Sequence, residues 1–435
     1  SSAASDVYKR QGLTVHKQVI PLAEEDKICP ICGTPMERIG EEYVRRELVF
    51  TPARCEIYEY YTESYGCPNC KDGKGDTEKA VIIKSKAAPA LIGKGPASPS
   101  TVAWTIYQKY ANGMPLYRQE KDWKEYGAAI SRTTLANWII YSAEHYFRPL
   151  YDYFHRQLLQ REFLMADETR VQVLKEPGRS AESQSFMWLF RTGEDGQPAI
   201  LLYGYTPTRS GNNAADFLDG FQGYLETDGY QGYNKVSGIK RCSCWAHIRR
   251  YFVDAIPKGK QLDYNQPAVQ GVHYCDRLAR LESTITSKCG TDHEKRKQMR
   301  LEKEKPVLEA FWAWVDSQHP TRNTRLDKAL TYVKNRRETS MTYLEDGRCS
   351  FTNNLSENAI RPFTLGRKNW LFSDSVEGAQ ASAITYTMVE MAKAHNLNIY
   401  GYLSYILEQR PDESWNDEQL AELAPWSEKL QTLKM

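Results

Sequence analysis

Two Cys-Pro-x-Cys pairs near the start of the chain restrict its fold more than any other feature of the sequence. Two residues between paired thiolates allow both sulfur atoms to face one metal ion, and two such pairs complete a tetrahedral Zn²⁺ site with no position open for a substrate. The alternating stretches 44–50 and 56–62 between the pairs indicate short strands. We therefore predict a structural zinc site in a zinc-ribbon-like module over residues 13–86, with the ligands Cys29, Cys32, Cys67 and Cys70.

The alternative for these cysteines is two unrelated pairs, one of which is redox-active. The chain contains ten cysteines, and its first residues lack the charged start and apolar stretch of a secretory signal. In a long chain without such a signal, paired cysteines indicate metal binding in a reducing compartment, which predicts a cytoplasmic protein. No apolar run approaches the roughly 18 residues needed to cross a bilayer, so we expect no membrane partner.

The charge balance limits how the chain can bind an acidic partner. The 435 residues include 57 Lys and Arg and 55 Asp and Glu, which gives a net charge of +2, and 41% of the residues are hydrophobic. This composition is that of a globular protein with several domains. Affinity for phosphate groups must therefore come from local basic patches. Residues 1–12 are small and polar, and we expect a disordered end or a tag remnant there.

A helical region of DNA-binding type is predicted after a linker. Residues 87–100 are rich in Pro, Gly, Ala and Ser and mark a boundary, and residues 101–155 have helical periodicity. Gly127 ends one helix and Ser131 caps the next, as in a helix-turn-helix. An ordinary helical hairpin between two domains is the alternative. The candidates for reading DNA bases are the outward residues near the start of the second helix, Arg132, Thr133, Thr134 and Asn137.

The longest region, residues 156–400, combines strand-like and helical segments. A long charged helical stretch at about 260–335 forms an insertion, and residues 401–435 form a C-terminal helical tail. Strands followed by helices indicate a mixed sheet flanked by helices, so the chain is predicted to be an α+β multidomain protein. The predicted strands are 163–166, 186–190, 199–203, 224–227 and 239–243, and the predicted helices among them are 214–221 and 246–255.

Three carboxylates are candidates for a metal site. Asp167 and Asp228 are predicted to follow strands directly, and Glu357 to stand at the start of a helix. Strand ends can direct side chains into one cleft, and carboxylates with open positions for phosphate oxygens suit Mg²⁺ or Mn²⁺. Two such ions about 3.5–4 Å apart activate an attacking oxygen and stabilise a leaving one. Taken singly, each aspartate is also explained as a turn residue and Glu357 as part of a helix cap.

These segments together resemble the insertion-sequence-66 family of bacterial transposases. The resemblance extends over about residues 29–407 and includes both cysteine pairs and the helical region, with the segments YRQEKDW and SRTTLANW. Its most specific parts are CWAHIRRYF at 244–252 and the long stretch at 353–407. In chain order, the matching segments are ADET at 166–169, TDGYQGYN at 227–234, CWAHIRRYF at 244–252 and a long stretch at 353–407 that contains NNLSENAIRP and LGRKNWLFSDS.

The resemblance implies an RNase H-like catalytic core of the DDE type, interrupted by a helical insertion before the glutamate. It carries Asp167, Asp228 and Glu357 over as the metal-binding triad. The implied partners are double-stranded DNA, both the terminal inverted repeats of the element and the target. Members are further expected to assemble as homo-oligomers on paired ends, with accessory proteins of the same element.

Basic residues near the triad are predicted to contact the DNA backbone. Guanidinium and ammonium groups beside a metal site can hold phosphates; a solvated loop is the alternative. Trp370 is expected in the core. Cys244 and His247 suggest a second metal, but no nearby residue in the sequence completes it, so His247 is assigned to structure or DNA contact. The predicted backbone contacts are His247, Arg249, Arg250, Arg361, Arg367 and Lys368.

The leading functional hypothesis is a transposase that cuts and joins DNA strands by metal-assisted phosphoryl transfer. Two other functions stay open at this point. One is a DNA-binding regulator with a decayed core, against which the presence of all three acids argues. The other is a stand-alone metal-dependent nuclease, which would give no strand-joining products.

Overall fold

The chain divides into two compact units, Ser1–Arg54 and Cys55–Met435. In the first unit a short 3₁₀ helix, Glu24–Lys27, precedes the turn of the first cysteine pair. The second pair, Cys67 and Cys70, lies outside the described residues. This computed structural model describes residues 17, 19–21, 23–27, 29–39, 43, 55–66, 82–93, 95–261 and 263–432.

The second unit begins with little regular structure. Strands β1 (Ser64–Gly66) and β2 (Ile82–Lys84) pair antiparallel. The prediction of a strand at 56–62 is wrong, because these residues have no regular structure and large side chains such as Ile57 are exposed. The strand predicted at 44–50 lies outside the described part of the chain.

The predicted helical region is confirmed as a series of helices. The first helix begins at Pro99, inside the predicted linker, because Ser98 caps it and proline fits a first turn. Single π-helical turns follow the first and third helices. The helices are α1 (Pro99–Ile106), α2 (Leu116–Glu125), α3 (Arg132–Ser142) and α4 (Arg148–Leu159).

A mixed sheet forms the centre of the second unit. The order is β5-β4-β3-β6-β7, with β3 antiparallel to β4 and parallel to β6, and β8 pairs with β3. This sheet is consistent with the expected RNase H-like core, and all five predicted strands are present. The strands are β3 (Phe163–Lys175), β4 (Gln184–Thr192), β5 (Leu201–Thr206), β6 (Gly223–Thr227), β7 (Ile239–Ser243) and β8 (Ser373–Ser375).

The first strand of the sheet is much longer than predicted. The predicted strand ends at Ala166, whereas β3 continues to Lys175 and pairs with β4 as far as Gln172. Val171 and Val173 are buried in this extension, and Gln172 between them is exposed. Asp167 therefore lies within a strand and does not follow one, because cross-strand pairing overrides the local signal of a polar turn.

Helices surround the sheet and form the insertion. The stretch at about 260–335, predicted to be a helical insertion, consists mainly of helices. In the described part of the chain, no helix has both the length and the apolar character to cross a membrane. The helices are α5 (Gly211–Phe217), α6 (Trp245–Ala255), α7 (Pro267–Cys289), α8 (His293–Lys303), α9 (Lys305–Ser317), α10 (Arg325–Lys334), α11 (Arg337–Met341), α12 (Asn354–Trp370), α13 (Val376–Ala394), α14 (Ile399–Gln409), α15 (Asp417–Glu422) and α16 (Glu428–Thr432).

Two hydrophobic cores fix these helices in place. The larger core joins the sheet to the early helices and to α13 and α14, and it includes Leu189 and Tyr386. The smaller core packs α6 against the insertion through Trp245, Phe252 and Phe311. Each large side chain buried in this way contributes about 1.5–3 kcal/mol relative to exposure. The insertion is therefore part of the folded unit and not a loosely attached loop.

The insertion also buries a cluster of charged groups. The guanidinium of Arg300 binds both carboxylate oxygens of Glu282, and the hydroxyl of Tyr343 donates to Glu304 at 2.7 Å. Glu304 is fully buried, and one of its oxygens has no hydrogen-bond partner among the described residues. Burial, and next the charge of Glu282, raises the pKa of Glu304 to about 8.

Replacing Glu304 by glutamine should stabilise the protein, and more so at pH 8.5 than at pH 5. Because the folded-state pKa is raised, the contribution of Glu304 to stability is present below its ordinary value of 4.5 and is lost as the pH rises through about 8. Glutamine has no proton to lose. Urea unfolding at both pH values should show the advantage of Glu304→Gln growing by more than about 1.4 kcal/mol, the equivalent of one pKa unit. The exposed neighbour variant Glu302→Gln should show no such growth, and a pH-independent advantage for Glu304→Gln would contradict the argument.

Candidate active site

Asp167 and Asp228 lie at the same level of two adjacent parallel strands. Asp167 is within β3, and Asp228 directly follows β6, as predicted for the latter. The register pairs Met165 with Glu226, and its continuation aligns Asp167 with Asp228. Since paired strands are about 4.8 Å apart, the two aspartates are neighbours in the fold although they are distant in sequence.

Glu357 is brought to the aspartates because the start of α12 is tied to β3. The side-chain amide of Asn353 donates to the carbonyl of Ala166 at 3.0 Å, and its backbone N–H donates to the sulfur of Cys244 at 3.1 Å. Glu357 lies in the first turn of α12, as predicted. The Asn353 side chain makes no capping hydrogen bond. The segment therefore does more than cap a helix, since it anchors the helix beside Asp167.

The three carboxylates influence one another electrostatically. Burial, followed by the negative charges of Glu168, Asp228 and Glu357, raises the pKa of Asp167 to about 8, although a backbone hydrogen bond from Glu168 lowers it in part. A divalent cation would relieve this repulsion, and Mg²⁺ prefers carboxylate oxygens. One oxygen of Glu357 is buried without a hydrogen-bond partner in the described part of the chain. The carboxylate chemistry of Asp167, Asp228 and Glu357 suits a divalent metal ion.

Glu168 is a buried acid that the sequence analysis did not single out. Its carboxylate is bound by the guanidinium of Arg209 and by the hydroxyl of Tyr233. Arg209 also lies 3.8 Å from Oδ2 of Asp228. Glu168 thus balances Arg209 beside the carboxylate cluster. No local pattern could have identified Arg209, which lies in a polar loop before α5.

Two arginines hold the loop that carries Asp228. Arg241 donates to the carbonyl of Asp228 at 2.9 Å and to the hydroxyl of Thr227, and Arg336 donates to the carbonyl of Gly229. A Cβ atom at Gly229 would meet the far end of the Arg336 side chain. A larger residue at this position would therefore displace the arginine from this contact.

The prediction that no third residue joins Cys244 and His247 as a possible metal ligand is wrong. The completing residue is Glu357, since single ligand atoms of the three residues all lie within 4.8 Å of one another. His247 Nδ1 is 3.6 Å from Glu357 Oε1, and Arg250 is 3.8 Å from the other oxygen. Local spacing could not show this, because Glu357 is on a different helix far along the chain.

The predicted DNA-contacting cations have different surroundings. Arg249 is ion-paired with Asp276 at 2.6 Å, and the Arg367 side chain donates to the backbone of β3. Arg361 and Lys368 are exposed on α12, and no ion pair to them is found within the described residues. Trp370 is half-buried and packs edge-to-face on Tyr110 in the larger core, close to its expected core position.

Helices α2 and α3 have the local features predicted for them. Gly127 adopts a positive φ of 84°, and the Ser131 hydroxyl accepts from the N–H of Thr134 at 3.1 Å. The inward residues Leu135, Trp138 and Ile139 are buried. Arg132, Thr133 and Asn137 are exposed, and Thr134 is partly so. The recognition of DNA by these residues stays a prediction.

The first cysteine pair has the tight turn of a zinc knuckle. Gly33, at a φ of 73°, donates to the carbonyl of Cys29, and the N–H of Cys29 donates to the carbonyl of Thr34, each at 2.9 Å. Hydrogen bonds with Thr34, and a further one with Cys29, lower the pKa of the Cys32 thiol. A lowered pKa favours the thiolate that binds zinc.

Comparison with known proteins places both parts of the chain. Residues 94–381 match the family described as "Transposase IS66 family", and residues 26–71 match "zinc-finger binding domain of transposase IS66". Similar proteins include three uncharacterized proteins of Sinorhizobium fredii (strain NBRC 101917 / NGR234). The protein y4qI is 27% identical over 97% of this chain and 77% of its own length. The corresponding values are 26%, 93% and 79% for y4jD, and 26%, 93% and 74% for y4hP.

The match to a zinc-finger domain leads to a direct test of the four predicted cysteine ligands. Loss of one thiolate from a tetrahedral site should remove the ion, so Cys29→Ser and Cys67→Ser should each bind one zinc ion fewer per chain than the wild type. Metal content measured on reduced, purified full-length protein checks this. The variant Cys55→Ser, which changes an exposed cysteine between the two pairs, should keep the wild-type content. Equal zinc in all four proteins would rule out the assignment.

Proposed function

Because the chain belongs to the IS66 family of transposases, we propose that it cuts and joins DNA strands at the ends of its own mobile element. The observation that supports this most is the group of carboxylates around Asp167. Burial, and next the charges of these neighbouring acids, raise the pKa of Asp167 to about 8. Repulsion among buried acids is costly, and it is explained if the site receives cations. The substrate proposed is double-stranded DNA, both the terminal inverted repeats and the target.

Asp167, Asp228 and Glu357 are the residues that would hold Mg²⁺ or Mn²⁺. When bound, a pair of such ions activates the attacking water or 3′-hydroxyl and stabilises the leaving oxygen. The protein supplies the geometry. The strand pairing sets the spacing of the two aspartates, and the bond from Asn353 to Ala166 holds the start of α12, and with it Glu357, against β3.

DNA is proposed to lie along α12. At about 100° per residue, Glu357, Arg361 and Lys368 fall within a narrow arc of this helix. Lys368 is roughly 16 Å from Glu357 along the axis, at about 1.5 Å per residue, which is close to the length of five base-pair steps. A phosphate backbone lying on this face would meet both exposed cations and then the acid. Arg250, 3.8 Å from Glu357, extends the basic face onto α6.

Further contacts with DNA are proposed for α3 and for His247. The exposed residues Arg132, Thr133 and Asn137, with Thr134 partly exposed, could present α3 to the bases of the element end. His247 faces Glu357 and is partly shielded, so contact with the scissile strand suits it better than contact with distant DNA. Assembly as a homo-oligomer on paired ends, with accessory proteins of the element, completes the proposal.

Single replacement of the triad acids should abolish strand cleavage and leave DNA binding nearly unchanged. We expect Asp167→Asn, Asp228→Asn and Glu357→Gln each to lower cleavage by more than about 10³-fold, since loss of a group that stabilises charge at the reacting centre has this effect. The assay uses DNA that carries the ends of the element, with Mg²⁺, and follows both nicked and joined products. Binding is measured in parallel by gel shift.

The control for this prediction is Asp374→Asn, which alters an exposed acid that pairs with Lys175 and should leave cleavage intact. Near-normal cleavage by a triad variant would remove that residue from the site. Binding without cleavage in the wild-type protein would favour a regulator, and cleavage without joined products a stand-alone nuclease.

Removing the exposed cations of α12 should weaken DNA binding in a salt-dependent way. Each lost phosphate contact reduces the slope of log affinity against log salt by about 0.9, so Arg361→Ala with Lys368→Ala should flatten it by roughly 1.8. Fluorescence anisotropy between about 50 and 200 mM salt measures this slope. Arg249→Ala should have a smaller effect because Asp276 already neutralises its charge.

The matched control is Arg156→Ala, since this arginine is ion-paired with Asp417 on another surface and should leave the slope unchanged. If the double variant kept the wild-type slope, DNA would not lie along α12.

A further inference from the structure

Glu357 faces two ligand atoms that the three-carboxylate site does not use. Single ligand atoms of Cys244, His247 and Glu357 lie within 4.8 Å of one another. Tetrahedral zinc, with bonds of about 2.0–2.3 Å, places its ligand atoms roughly 3.3–3.7 Å apart. The distance of 3.6 Å between His247 Nδ1 and Glu357 Oε1 falls in this range. The spacing of these two atoms therefore fits a small cation.

Two of these ligand atoms are buried and have no hydrogen-bond partner. His247 Nδ1 and Glu357 Oε1 are inaccessible to solvent and make no hydrogen bond within the described residues. At 3.6 Å they are too far apart to bond to each other. Leaving such an atom unsatisfied destabilises the folded protein. A cation between them would satisfy both, which a hydrogen bond at this separation does not.

Cys244 and His247 are placed by one short segment. Cys244 is the residue before the first turn of α6, and His247 is three residues on, so that both side chains reach the same side of the helix start. The backbone N–H of Asn353 donates to the Cys244 sulfur at 3.1 Å. Burial raises the pKa of the Cys244 thiol to about 12, and backbone hydrogen bonds lower it only in part, so a bound cation is what would favour the thiolate there. The anchor that fixes Glu357 thus also holds the sulfur.

We propose that Cys244, His247 and Glu357 bind a thiophilic divalent cation, with Zn²⁺ as the ion that fits, at a site that shares Glu357 with the three-carboxylate site. Thiolate and imidazole select zinc, whereas Mg²⁺ takes oxygen ligands. Three protein ligands leave a fourth position for water or a phosphate oxygen. The two sites therefore differ in the ion they prefer while they compete for one carboxylate.

Zinc occupancy has a regulatory consequence that rests on the proposed function. An ion held by Cys244 and His247 withdraws Glu357 from the aspartates and leaves Mg²⁺ with two acids. Zinc should then suppress Mg²⁺-dependent cleavage. The site is distinct from the cysteine pairs, whose ligands belong to the zinc-finger region.

The test counts zinc ions on the reduced full-length protein. We expect the wild type to bind one zinc more per chain than Cys244→Ser, His247→Gln and Glu357→Gln, while the cysteine-pair site stays loaded in all four. Cys289→Ser and His273→Gln are matched controls from α7 and should keep the wild-type count. With Co²⁺ in place of zinc, the visible spectrum of the wild type should contain a component, absent from Cys244→Ser, from an ion with one sulfur ligand. Circular dichroism identifies any variant that fails to fold.

Equal metal counts in the wild type and in the folded Glu357→Gln and His247→Gln variants would overturn the inference. The proposed function is scored separately, by Mg²⁺-dependent cleavage without zinc. Cleavage with no additional zinc ion refutes this site and leaves the proposed function standing. An additional zinc ion without cleavage by the wild type retains the site and refutes the proposed function.

Discussion

The parallel pairing of β3 with β6 is the contact on which the whole candidate site depends. Its register aligns Asp167 with Asp228 across neighbouring strands, and the same strand, through the carbonyl of Ala166, receives the amide of Asn353 at the start of α12. Two backbone-directed interactions thus bring the strand of Asp167 beside Asp228 and beside the start of the helix that carries Glu357. Because a one-residue slip would turn the side chains to the opposite face of the sheet, the register has to be strongly specified.

That specification comes from burial on both sides of the sheet. The larger core covers it with α13 and the early helices, and the smaller core joins α6 and the insertion to the outer strands. The insertion therefore does structural work for the site, since Arg336, which follows α10, reaches the loop after Asp228. A cluster of like charges can persist because these packed surroundings leave the acids no way to separate.

Sequence reasoning succeeded where the signal was local and failed where a distant partner decided the outcome. The strand before Asp228, the cap at Ser131 and the helix start at Glu357 were all predicted from residues within a few positions. By contrast, β3 was ended too early because its partner β4, and not its own polarity, sets its length. The stretch 56–62 alternates without a packing partner and forms no strand. Cys244 and His247 looked incomplete because the third residue is on another helix.

Several arginines are neutralised by carboxylates in the folded chain, in keeping with its near-neutral net charge. Arg161, Arg209 and Arg300 are each bound to a carboxylate in the folded chain, so they stabilise the protein and offer little to a polyanion. The sequence alone does not distinguish these three arginines from Arg361 and Lys368. The structure does, because Arg361 and Lys368 are exposed and without an ion pair in the described part of the chain. A small number of free cations on one helix can still orient DNA, because phosphate contacts set register and direction even when the overall field is weak. In the proposed binding mode, their position on the helix that carries Glu357 would couple binding of the DNA backbone to the approach of the carboxylates.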